Sequence, residues 1–323
     1  LETFRQDPTI NGISRQISQN ELSLDEVLIE KEAGRVAGDE SAPTQPIILV
    51  HALFGSAEDD YRDLIKHVKR NNRHSPIAVI NSPGLTDPKA MPTTLKALAR
   101  YYVELVNQKY PEQACWLIGW SSGGSIAHTM ASLMREEQVA GVIMIDTQCL
   151  SYTNQLSHED YFKRMVDAVN YDHFRGKVGY KGEKINNIAE KHNVFKKQSL
   201  KRQTAGFMTY LESQWHFPSP LDENGAVIVQ TPEALDKIRR FAKNTQCMLN
   251  LLMHYEPPKT KVKKVGLLVA ESSHEKLRDK LPERQRCYLG WVRGDEVLID
   301  RKTILKSAQH VVVLENPGKV AEA

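Results

Sequence analysis

Five short, nearly continuous apolar runs constrain the fold of this chain more than any other feature: Ile47–Val50, Ile77–Ile80, Cys115–Ile118, Val139–Ile145 and Val265–Ala270. Runs of this length without alternation suit strands buried on both faces, the habit of parallel sheets. Helical spacing fills the gaps between them at Ala57–Lys69, Leu95–Val106 and Ile126–Met134. Strand–helix alternation implies right-handed crossovers and a doubly wound sheet covered by helices. Composition agrees with that class: 41% of the 323 residues are hydrophobic and 26% charged, so disorder, collagen and coiled coil are excluded.

The alternation stops after residue 149. Residues 150–264 hold no comparable apolar run and carry nineteen Lys or Arg against twelve Asp or Glu, a net of +7 in a chain whose total is +3. An interruption of this kind between two buried strands predicts an inserted lid over the carboxyl edge of the sheet. Residues 46–149 and 265–323 then form the core. Residues 1–42 carry nine acidic and four basic side chains, and the segment 1–45 reads as a linker or peripheral arm.

Four widely spaced cysteines (Cys115, Cys149, Cys247, Cys287) form no CxxC pair, which argues against zinc or a disulfide scaffold and for a reducing compartment. No apolar run approaches the roughly 20 residues that cross a bilayer, and no basic-then-apolar leader opens the chain. A cytoplasmic protein without membrane contact is expected. The first residue is Leu, not Met, which suggests a domain cut from a longer chain.

The sharpest chemical signal is Gly119-Trp-Ser-Ser-Gly123, followed by Gly124, directly after one apolar run and before a helical segment. That is the strand–turn–helix context of a nucleophile elbow, in which Ser121 would project its hydroxyl at a helix N-terminus. A serine nucleophile needs a base and a group to orient that base. Asp146 ends the run Val139–Ile145 beside the elbow, and Glu271 ends the run Val265–Ala270 one strand further along. Both are candidate acids. Among eleven histidines, His310 gives the chain order Ser…acid…His, unless it merely opens a strand at Val311–Leu314. His274 is an outside candidate. His51 would shape the loop opposite the elbow, and His128 would pack on the helix after it. Oxyanion donors should be the backbone N–H groups of Ser122 and Leu53.

Several stretches together resemble the type I thioesterase domains of polyketide synthases, fatty-acid synthases and nonribosomal peptide synthetases. They are Asn81-Ser-Pro-Gly-Leu85, Leu95–Tyr102, Trp116–Gly124, Ile145-Asp-Thr147 and His310-Val-Val-Val-Leu-Glu-Asn-Pro317. The resemblance implies an α/β-hydrolase fold with a lid between the sixth and seventh strands, and the triad Ser121, Asp146 and His310. It implies release of a carrier-bound acyl chain through an acyl-serine, by hydrolysis or cyclisation, without a cofactor. The substrate would arrive on the phosphopantetheine arm of an acyl or peptidyl carrier. The family usually has Gly two residues before the His, where this chain has Ala308-Gln309. Lys196, Lys197, Lys201 and Arg202 could receive an acidic carrier; nucleic acid is a weaker partner, because no recognition motif accompanies the charge. The rivals are a free-standing esterase or lipase of the same fold, and a catalytically silent binding module.

Overall fold

The computed structural model describes residues 27–31, 45–71, 75–149, 198–199, 201–206, 209, 232–253, 255–259, 262, 264–277, 281–293, 296–310 and 312–323. Among them the strands are β1 (Leu28–Lys31), β2 (Ile47–Val50), β3 (Ile77–Ile80), β4 (Cys115–Trp120), β5 (Val139–Ile145), β6 (Val265–Ala270), β7 (Val292–Arg293), β8 (Glu296–Val297) and β9 (Arg301–Leu305). Seven of them form one sheet in the order β1-β3-β2-β4-β5-β6-β9, while β7 and β8 pair as a separate hairpin. Every pairing in the large sheet is parallel except β1 with β3.

That order positions the site. From β2 the chain steps outward to β3, crosses back to β4, and then continues away through β5, β6 and β9. The strand order reverses between β2 and β4, and such a switch point leaves a crevice at the carboxyl ends of the two strands. The residues following β4 and β2 are Ser121 and the His51–Gly55 loop.

All five apolar runs are strands of the sheet. Every residue of β2 and β3 is buried, as strands covered on both faces require. Two further strands lie at the sheet edges, where burial is one-sided and no continuous apolar run is needed. β1 falls within the segment expected to be a linker or arm. Its residues pair with β3 in the register Leu28↔Ile80, and Val27 and Leu28 are buried. β9 reads Arg-Lys-Thr-Ile-Leu, and only Leu305 is fully buried.

The helices covering the sheet are α1 (Ala57–Asp60), α2 (Arg62–Asn71), α3 (Leu95–Lys109) and α4 (Ser122–Leu133). The single helix expected over Ala57–Lys69 is interrupted at Tyr61, whose hydroxyl donates to the Val50 carbonyl at 2.8 Å and accepts from the Trp120 N–H at 2.6 Å. Tyr61 thereby ties the ends of β2 and β4 together. α3 begins at an N-cap, Thr94, whose hydroxyl accepts from the Ala97 N–H at 3.1 Å. α4 starts four residues before the expected Ile126, immediately after the elbow, and is buried from Ser122 through Ala131.

Later helices are α5 (Pro232–Met253), α6 (Glu271–Lys276), α7 (Glu283–Cys287), α8 (Val312–Glu315) and α9 (Pro317–Glu322). The stretch Val311–Leu314, open to a strand reading, is helical from Val312. β9 already occupies the sheet position beside β6, and α8 instead buries Val312 and Val313 against α2. The described residues divide into two compact units, one running to residue 149 and resuming at Leu251, the other comprising those between 198 and 250. The segment 150–264 lies between β5 and β6, so among the described residues it follows the fifth strand, where the resemblance implied the sixth. Among the described residues, β1 alone precedes β2.

Candidate active site

Ser121 sits on the turn between β4 and α4 with φ 53° and ψ −125°. Such a conformation costs a non-glycine residue on the order of 1–3 kcal/mol and persists only where the surroundings over-determine it. Here the Ser121 N–H donates to the Ile145 carbonyl at 2.9 Å, and its own carbonyl accepts from Gly124 N–H at 3.2 Å. The flanking glycines are required by contact distance. A Cβ on Gly119 would lie 2.1 Å from the Gly123 carbonyl carbon, and one on Gly123 would lie 2.5 Å from the Val50 carbonyl oxygen. No side chain fits at either position.

Two residues distant in sequence complete a line of hydrogen bonds. Asp146 follows β5, fully buried, with φ 45° and its N–H donated to the Leu268 carbonyl at 2.6 Å. Its Oδ1 accepts from the Ala270 N–H at 2.9 Å, and its Oδ2 accepts from Ser273 Oγ at 2.5 Å. The same Oδ2 lies 2.6 Å from His310 Nδ1, and His310 Nε2 lies 3.1 Å from Ser121 Oγ. A buried carboxylate accepts only, so Nδ1 carries the proton. Nε2 is then the acceptor and the Ser121 hydroxyl the donor. Trp120 holds the other side of the histidine: its indole N–H donates to the His310 carbonyl at 2.8 Å, and the two rings lie 5.6 Å apart.

The expected oxyanion donors lie on α4 and in the loop after β2. Ser122 is the first residue of α4, where backbone N–H groups have no partner within the helix. Leu53 lies in the loop after β2, and the peptide that carries its N–H is pinned from the other end. The Ala52 carbonyl accepts from the Gly55 N–H at 3.1 Å and from His51 Nδ1–H at 2.7 Å. In a trans peptide the C=O and N–H point in opposite directions, so fixing the Ala52 oxygen fixes the direction of the Leu53 N–H. The Ala52 carbonyl can only accept, so it puts the His51 proton on Nδ1, and the Tyr102 hydroxyl then donates to Nε2 at 2.7 Å. Complete burial lowers the His51 pKa to about 4, so the ring is neutral.

The remaining candidates fall elsewhere. The Glu271 carboxylate accepts from Lys306 Nζ at 2.9 Å and from the Ser307 N–H at 2.8 Å, and these two donors hold it below the usual carboxylate range. His274 Nε2 lies 3.7 Å from Cys287 Sγ. His128 is buried on α4 with its ring 4.9 Å from that of Trp291. Lys201 and Arg202 are exposed in a helical stretch at 201–206, whereas Lys196 and Lys197 lie outside the described residues. Sequence reasoning missed Ser273, Trp120 and Tyr61. A lone hydroxyl or aromatic carries no pattern, and only the closing of the sheet brings these groups to Asp146, His310 and Val50.

A hydroxyl at a helix N-terminus, donating to an imidazole that itself donates to a buried carboxylate, is equipped for nucleophilic acyl transfer. Among the described residues no group of three or more His, Cys, Asp or Glu is placed to hold a metal ion.

The thioesterase domain family matches residues 45–170, a span that includes Ser121 and Asp146 but not His310. The chain is 27% identical over 124 residues to "Probable thioesterase gloN" of Glarea lozoyensis, covering 38% of this chain and 42% of that protein. It is 30% identical over 131 residues to the non-reducing polyketide synthase ntnG of Nectria sp, covering 40% of this chain and 6% of that protein. The chain thus spans under half of the first relative and a small fraction of the second. Among solved structures, the NocB thioesterase domain in covalent complex with a fluorophosphonate nocardicin G analog superposes with TM-score 0.52 at 20% identity, over 87% of this chain and 93% of that one. A four-domain nonribosomal peptide synthetase, holo-AB3403, gives TM-score 0.62 at 19% identity over 99% of this chain and 22% of that one. The chain therefore has the α/β-hydrolase fold, and its residues 45–170 match the thioesterase domain family.

Proposed function

We propose that this chain is a serine thioesterase that releases a carrier-bound acyl or peptidyl chain through an acyl-serine intermediate. The observation that carries the reading is the Ser121–His310–Asp146 line of hydrogen bonds, at 3.1 and 2.6 Å, with its serine inside the thioesterase-matched span. Ser121 Oγ attacks the thioester carbonyl carbon while its proton passes to His310 Nε2. Asp146 stabilises the imidazolium through the Nδ1–H bond. The tetrahedral oxyanion accepts from the Ser122 and Leu53 N–H groups, each such donor being worth about 3 kcal/mol to the transition state. Collapse breaks the C–S bond, and the departing thiolate takes the proton from Nε2. Water, or a hydroxyl or amine of the acyl chain itself, then gives its proton to Nε2 as it attacks the ester, and collapse returns that proton to Ser121. The reaction as written needs no cofactor.

The relatives include polyketide and peptide synthases, which supports a carrier domain as partner and phosphopantetheine as the arm that presents the thioester. A cytoplasmic location goes with that partner. Among the described residues no helix is long and apolar enough to cross a membrane.

The test is turnover of acyl N-acetylcysteamine thioesters against oxygen esters of the same acids, with products identified by mass. Preference for the thioester, lost in Ser121→Ala by on the order of 10⁶-fold, is the expected result. Equal or better turnover of oxygen esters would make the chain a general esterase, and no turnover of either would leave a binding module.

A further inference from the structure

Four consecutive residues, the last of β6 and the first three of α6, hold the two triad members in register. Ala270 N–H and Ser273 Oγ donate to the two oxygens of Asp146, at 2.9 and 2.5 Å. The two residues between them hold the turn that leads to His310. Glu271 accepts from the Ser307 N–H and from Lys306 Nζ, and the Ser272 N–H donates to the Ala308 carbonyl at 3.1 Å. The turn needs such support. Ser307 adopts φ 55°, a left-handed conformation that favours glycine, and the backbone of 306–308 lies just past the end of β9. An L-residue there persists only if surrounding bonds over-determine it.

We infer that Glu271 is a positioning residue: with Ser272 and Ser273 it forms a bracket that fixes the His310 turn against Asp146, acting as a hydrogen-bond acceptor for the turn backbone and not as the triad acid. The inference rests on the acyl-serine reading. The left-handed position is Ser307, three residues before His310, and Glu271 secures the N–H of that residue. The acceptor matters because the His310 ring must meet Asp146 and Ser121 together, and a misplacement of about 1 Å can cost about 100-fold in rate.

The role separates cleanly from an acid's role by substitution. In Glu271→Ala the Ser307 N–H loses its acceptor. In Glu271→Gln the amide oxygen can still accept that N–H, while Lys306, an exposed side chain, swings into water. Steady-state kinetics on an acyl N-acetylcysteamine thioester, with a thermal melt of each variant, reads the difference. Glu271→Ala should lower kcat about 10- to 100-fold with KM within about threefold. Glu271→Gln should restore kcat to within about threefold of wild type. Glu271→Ala within twofold of wild type overturns the inference, as does a Gln variant no better than Ala at equal thermal stability. Should Glu271→Ala melt below the assay temperature, the same kinetics are read below its melting temperature against wild type and Glu271→Gln: a lowered kcat rescued by Gln supports the bracket, and wild-type kcat in Glu271→Ala overturns it. A wild-type enzyme whose turnover survives Ser121→Ala would overturn the acyl-serine reading, an outcome distinct from either.

Discussion

Ser121 and Asp146 both stand on left-handed backbone, at φ 53° and 45°, each held there by an N–H bond across to the neighbouring strand. The strain is local and the bonds that offset it belong to the sheet, so substitutions of these two side chains should leave the fold intact. Asp146→Asn would offer Nδ1 an amide in place of a carboxylate and hold the imidazole in the wrong tautomer. We expect a loss of about 10⁴-fold in kcat with an unchanged melting temperature; a loss under tenfold would move the acid elsewhere. His51 supplies a pH prediction. Its pKa is about 4 in the folded chain against 6.5 when solvated, because burial disfavours the cation. A depressed pKa contributes stability that is present above pH 6.5 and lost as pH falls toward 4. The full loss is about 3 kcal/mol, taking 1.36 kcal/mol for each pKa unit. Chemical denaturation at pH 7.5 and 4.5 should therefore show a steeper fall for wild type than for His51→Gln. Parallel slopes would mean that the ring is not buried neutral.

At the scale of elements, the elbow works because β4, α4 and the β2 loop approach with no room for side chains. Gly123→Ala would force a methyl to within 2.5 Å of the Val50 oxygen, and backbone cannot yield as a flexible side chain can. Denaturant titration should show destabilisation of about 2–4 kcal/mol and activity lost with it; a stable, active variant would contradict the packing. This scale also shows what sequence can and cannot reveal. The interior strands announce themselves because burial on both faces demands unbroken apolar runs, as in Ile47–Val50 and Ile77–Ile80. Edge strands face such a demand on one side at most, and Leu28–Lys31 and Arg301–Leu305 carry no comparable signal. Ser121 was legible because its glycines obey contact distances. Asp146 and Glu271 both end apolar runs, and sequence pattern alone left them as competitors. The structure distinguishes them through bonds between residues far apart in sequence, Asp146 to His310 across 164 positions and Glu271 to Ser307 across 36.

At the scale of the molecule, charge is partitioned along the chain: residues 1–42 carry −5 and residues 150–264 carry +7. In the proposed reading the basic segment, including exposed Lys201 and Arg202, meets an acidic carrier domain. Opposite charges speed encounter more than they tighten the final complex. The value of kcat/KM for a carrier-bound acyl chain should fall steeply with salt, while the matching N-acetylcysteamine thioester should be nearly indifferent. An equal salt response would make the basic segment a solvated surface.

In the proposed reading Ser121, activated by His310 and Asp146, takes the acyl group. The most direct measurement treats the folded protein with a fluorophosphonate and maps the adduct by peptide mass spectrometry. The account predicts one adduct per chain on the peptide containing Ser121, slowed by excess acyl N-acetylcysteamine thioester and absent in Ser121→Ala. A folded protein that takes no adduct, or takes it at another residue, would contradict the account.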